Sequence, residues 1–112
     1  MSKYKTLVKD ISATLPALGG NIPDVMKGFG GLAKASTKAG SLDTKTKELI
    51  AIAIAVATRC DGCIGFHSKA LVELGVTEAE LSEALGVAIL MGGGPSVMYA
   101  ANALSAFKEF AE

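Results

Sequence analysis

Leu49-Ile50-Ala51-Ile52-Ala53-Ile54-Ala55-Val56-Ala57 is the stretch on which the fold turns. Its nine residues carry no charge and alternate large with small. Alternation at period two suits a strand, whereas apolarity on every side suits a buried helix. Alanine at every second position, a cap at Asp43 or Thr44, and the polar run-in Lys45, Lys47 and Glu48 favour a helix reaching about Arg59. A helix apolar all round must be covered all round, here by helices of its own chain and of another subunit.

Helical spacing recurs on both sides of this segment. Upstream, residues 3–14 form a weakly patterned helix expected to end before Leu15-Pro16, and Gly19-Gly20-Asn21 breaks the chain. Pro23 suits a first helical position, and Val25, Met26, Phe29, Leu32 and Ala33 follow as an apolar stripe ending at Ala39-Gly40-Ser41. Downstream, a helix begins near Asp61 and stops at Gly75, with Cys60, Cys63, Ile64, His67, Leu71 and Leu74 along one face. Thr77-Glu78-Ala79-Glu80 is a capping box, opening a helix striped by Leu81, Leu85, Ala88 and Ile89. After Gly92-Gly93-Gly94, Pro95 starts a last helix carrying Met98, Tyr99, Asn102, Ala103, Ala106 and Phe110. The expectation is an all-α bundle of five or six helices forming one domain over residues 1–112.

The chain has 112 residues, enough for one core in which folding hides roughly 65% of the unfolded surface. Half of them are hydrophobic and 20% are charged. A mean hydropathy of +0.42 is high for a lone domain, so self-association through apolar helix faces is expected. Eleven basic residues balance eleven acidic ones, which argues against a nucleic-acid partner and gives no electrostatic reason for a membrane one. No apolar run approaches the roughly 20 residues that span a bilayer, and no signal peptide is evident. A cytoplasmic location is expected, where two cysteines do not serve as a structural staple.

The chemistry concentrates in Cys60-Asp61-Gly62-Cys63-Ile64-Gly65-Phe66-His67. At a helix start, cysteines three apart are neighbours and can open and close a disulfide with little backbone motion. The helix N-terminus favours the thiolate. His67 lies one turn beyond Cys63, about 6 Å along the axis, and leans back toward it; from Cys60 it is about 10 Å away. Geometry therefore makes Cys63 the attacking thiol, His67 its base, directly or through one water, and Cys60 the resolving thiol. A base works best when a third group holds it, and Glu48 is the candidate. On a straight helix Glu48 sits about 18 Å from Cys60, of which an antiparallel return recovers about 10 Å.

Each residue also admits a plainer role. Cys60, Cys63 and His67 offer zinc three ligands, with no second Cys/His pair to complete a structural site. Haem attachment needs His directly after the second cysteine, where Ile64 stands, and a thioredoxin-type CxxC needs βαβ units. His67 could be a hydrogen-bonded core residue, and Glu48 a solvated first-turn acid. Tyr99, Met91 and Met98 suit packing. Gly92-Gly93-Gly94-Pro95 suits a tight helix connection better than an anion cradle. No metal and no cofactor are expected.

Glu48 followed by Cys60-x-x-Cys63-x-x-x-His67 resembles the signature of the AhpD-like alkylhydroperoxidase core in the carboxymuconolactone decarboxylase family. Leu42–Leu49 and Gly92–Pro95 agree with it, and the resemblance covers about residues 20–110. It implies an all-helical homo-oligomer, for short members commonly a hexamer built as a trimer of dimers. It implies an antioxidant peroxidase of peroxiredoxin type: Cys63 oxidised to a sulfenic acid, Cys60 its disulfide partner, and Glu48 and His67 relaying the proton. The substrate would be a hydroperoxide and the reductant an external dithiol, lipoamide-linked or thioredoxin-like. Gly62 departs from AhpD proper, which carries histidine there and is a longer chain. The family's decarboxylases lack the CxxC pair, so a cofactor-free lyase is the alternative from another enzyme class. A non-catalytic redox-sensing dithiol protein is the third.

Overall fold

The computed structural model describes residues 2–112 and contains six helices: α1 (Lys3–Asn21), α2 (Pro23–Thr37), α3 (Thr44–Ala57), α4 (Asp61–Glu73), α5 (Glu78–Gly92) and α6 (Gly94–Ala111). The deciding stretch is helical, and no strand occurs among the described residues. Asp43 caps α3, its carboxylate accepting the Thr46 N–H at 2.8 Å. The capping box at Thr77 is complete: Thr77 Oγ1 accepts from Glu80 N–H at 3.1 Å and Glu80 Oε1 accepts from Thr77 N–H at 2.9 Å. Glu80 also pairs with Lys45, tying the starts of α3 and α5 together.

The core forms where α3 packs on α4 and α5, and α6 lies across α4 and α5. Ile52, Val56, Ile64, Leu71 and Leu81 are fully enclosed, and α6 contributes Ala100, Ala103 and Ala106, small enough to let helices approach closely. α4 closes in a Schellman motif, with Gly75 left-handed at φ +75° and Val76 N–H donating to Leu71 O at 3.0 Å. Between α5 and α6, Gly93 takes φ +70°, and a Cβ at Gly92 would strike the Ser96 hydroxyl. The glycine run is the tight connection its sequence suggests.

One expectation needs correction. The first helix does not end before Leu15-Pro16: α1 runs through Pro16, Gly19 and Gly20, and the chain turns at Ile22, φ −134°. Pro16 removes the amide that would bond the Ser12 carbonyl, but this part of α1 is exposed, so water can satisfy that carbonyl. The stripe expected on α2 is present and mostly exposed: Met26 is half-buried against α1, no α2 residue is fully buried, and Val25 and Phe29 are each 64% exposed. α2 touches only α1 and α3. Among the described residues no helix is long and apolar enough to cross a membrane.

Candidate active site

The site is built at the junction of α3 and α4. α3 ends in a second Schellman closure, with Arg59 N–H donating to Val56 O at 3.2 Å and Cys60 N–H to Ala55 O at 3.0 Å. Here the left-handed residue is Arg59, φ 57°, rather than glycine, a conformation costing on the order of 1 kcal/mol. It reverses the chain so that Cys60 is at once the last anchor of α3 and the N-cap of α4. Cys60 Sγ accepts the Cys63 N–H at 3.2 Å. The two sulfurs are joined in a disulfide, with Cα atoms 5.2 Å apart.

Because α4 folds back on α3, Glu48 meets His67 directly, with no bridging water: Nδ1 lies 2.6 Å from Glu48 Oε2. Glu48 is 7% exposed, so it is not a solvated first-turn acid, and the His67 side chain is 34% exposed, so it is not a core histidine. A carboxylate can only accept, which makes Nδ1 the donor and leaves Nε2 as the unprotonated nitrogen of a neutral ring. His67 and Cys63 share an open recess of about 300 Å³ with Ala51, Ile54, Ala55 and Thr58. No hydrogen bond joins His67 to the disulfide-bonded Cys63 among the described residues. The recess is apolar except for Thr58, Cys63 and His67.

Residues that sequence reasoning passed over hold the motif from the other side. Tyr4, on α1, is 1% exposed and donates its phenolic hydroxyl to Asp61 Oδ1 at 2.8 Å. Burial first, then this hydrogen bond and the neighbouring acidic charges, push the phenol well above its ordinary range. Glu109 on α6 accepts the N–H groups of Tyr4 and Lys5 at 2.8 and 3.1 Å, capping a helix that has no acid in its own first turn. No periodicity signals contacts 57 and 105 residues apart. The Asp inside Cys-Asp-Gly-Cys was the one visible hint.

An all-helical fold, a Cys60–Cys63 disulfide at the start of α4 and a Glu48–His67 pair joining α3 to that same helix define a helical domain with an AhpD-like core. The chain belongs to the carboxymuconolactone decarboxylase family, whose model matches residues 23–106. A crystal structure of a carboxymuconolactone decarboxylase family protein from Legionella pneumophila is 55% identical over the whole of both chains, with a TM-score of 0.98. A family member from Thermotoga maritima, for which involvement in an antioxidative response has been suggested, is 34% identical. It covers 75% of this chain and 87% of that one, with a TM-score of 0.70. An uncharacterized protein of Cupriavidus necator is 44% identical over 103 residues, 92% of this chain and 91% of its own length.

Proposed function

We propose that the protein is a thiol-dependent hydroperoxide reductase. The observation that carries this reading is the pairing of buried Glu48 with half-buried His67, which opens onto the recess that Cys63 lines, beside a second cysteine already bonded to it. In the reduced protein, His67 Nε2 takes the Cys63 proton. The thiolate attacks the terminal peroxide oxygen, the O–O bond breaks, and the departing alkoxide collects a proton as the alcohol. Cys60 then displaces hydroxide from the Cys63 sulfenic acid, which leaves as water and forms the disulfide. An external dithiol, lipoamide-linked or thioredoxin-like, returns the pair to thiols by exchange. Apolar walls at Ala51, Ile54 and Ala55 favour an organic hydroperoxide. The antioxidative role suggested for the Thermotoga relative supports the same chemistry.

The exposed apolar residues support a homo-oligomer, in our reading a hexamer arranged as a trimer of dimers, and a cytoplasmic setting suits a cycling dithiol. Intact-mass spectrometry of the reduced protein after stoichiometric hydroperoxide tests the chemistry. Loss of two hydrogens in the wild type and one trapped oxygen in Cys60→Ser are expected. Turnover that survives replacing both cysteines with Ser would point instead to a lyase. Oxidation that changes assembly with peroxide consumption at background would point to a redox sensor.

A further inference from the structure

We propose that Tyr4 is a positioning residue for the dithiol: its buried phenol engages the Asp61 carboxylate beside Cys60, draws on its charge, and so keeps Cys63 reactive. This rests on Cys63 being the site's nucleophile, but not on a peroxide being its oxidant.

Asp61 follows Cys60 directly and is the first residue of α4, so its carboxylate is the nearest acid in sequence to either sulfur. An uncommitted carboxylate there would oppose the thiolate that a helix N-terminus otherwise favours. The structure commits it: Tyr4 Oη donates to Asp61 Oδ1 at 2.8 Å from a side chain with 1% exposure. Such a bond draws charge toward the phenol and fixes the carboxylate's direction.

The rest of α1 is fitted to the same task. A Cβ on Gly65 would lie 2.7 Å from Val8 Cγ2 and one on Gly62 would lie 3.1 Å from Ile11 Cδ1, so two glycines of the motif turn let α1 lie against it. Glu109 fastens the start of α1 by capping it at Tyr4 and Lys5. Both Tyr4 and Glu109 fall outside residues 23–106, so this clamp is carried by parts of the chain beyond the family match.

The charged and titratable groups around the pair are few. α1 brings Lys3, whose ammonium lies 5.3 Å from the Tyr4 ring centroid. α6 brings Tyr99 and Glu109, and Glu109 with Asp61 adds negative charge around the phenol. α3 brings Glu48 and the following turn Arg59, while α4 itself carries His67 one turn beyond Cys63.

The test is the pH dependence of iodoacetamide alkylation of Cys63 in full-length, reduced protein carrying Cys60→Ser. Alkylation forms a C–S bond and releases iodide, so it reads thiolate without any peroxide. Tyr4→Phe is expected to raise the midpoint and to slow alkylation at pH 7 by about threefold or more, with helix content unchanged. Asp61→Asn keeps an acceptor for the phenol and removes the charge, so it is expected to lower the midpoint. In the Asp61→Asn background, Tyr4→Phe should no longer raise it. A folded Tyr4→Phe with an unaltered midpoint overturns the proposal. So does an Asp61→Asn midpoint that is unchanged or raised, a result obtainable even if Tyr4→Phe fails to fold.

Discussion

Glu48 is a buried carboxylate with one partner, and breaking such a pair is costly because the remaining group has no water to turn to. Glu48→Gln keeps the shape but weakens the hold on the imidazole. Cys63 alkylation at pH 7 should therefore slow, and His67→Ala should slow it further. Ser68 is the opposite case: its hydroxyl is buried with no hydrogen-bond partner. Removing an unpaired hydroxyl is neutral or favourable, so Ser68→Ala should leave the melting temperature unchanged or raise it. At Tyr4 the sign follows from the raised phenol. The folded state keeps its proton where the unfolded state, near pH 10, releases it. Its stabilising contribution is thus complete below that range and lost as pH climbs above it. Chemical denaturation from pH 8 to 11 should show wild type losing stability more steeply than Tyr4→Phe.

At the scale of helices, the contact of α1 with α4 depends on glycine. Gly65→Ala places a methyl 2.7 Å from Val8 Cγ2, an overpacking expected to cost about 1–3 kcal/mol, and shortening Val8 to Ala in the same chain should recover much of it. Urea unfolding of the single and double variants measures this. Thr77→Ala removes one half of the capping box and should cost about 1 kcal/mol. These elements differ in how far the sequence announces them. α3, α4 and α5 carry caps, stop signals and stripes within a few residues of one another, so their type and ends are legible. α1 is not: its Pro16 and paired glycines read locally as a break, and only exposure to solvent lets the helix continue. The spacing of Cys60, Cys63 and His67 along α4 was legible for the same local reason. The direct Glu48–His67 contact depends on the angle at which α4 returns along α3, which no local signal fixes.

At the scale of the whole molecule, several large apolar side chains face outward. Leu90 and Met91 are 79% and 80% exposed, and the stripe on α2 faces outward. The radius of gyration, 14.3 Å, exceeds the roughly 13 Å of a compact chain of this length, in keeping with α2 and the exposed second half of α1 extending from the core. High hydropathy with balanced charge foreshadowed such faces; which helices carry them depended on packing. In a monomer, Leu90→Glu would alter stability by no more than about 0.5 kcal/mol. In the proposed assembly it should lower the molar mass seen by light scattering at equal concentration, and an unchanged mass would clear that face of any role.

The proposed chemistry depends on the Glu48–His67 pair acting on Cys63. The most direct measurement is the single-turnover rate at which an organic hydroperoxide converts the reduced dithiol to the disulfide, in wild type and in His67→Ala. A fall of about 100-fold or more at pH 7, with the helical fold retained, is the predicted result. Equal rates in the two proteins would contradict it.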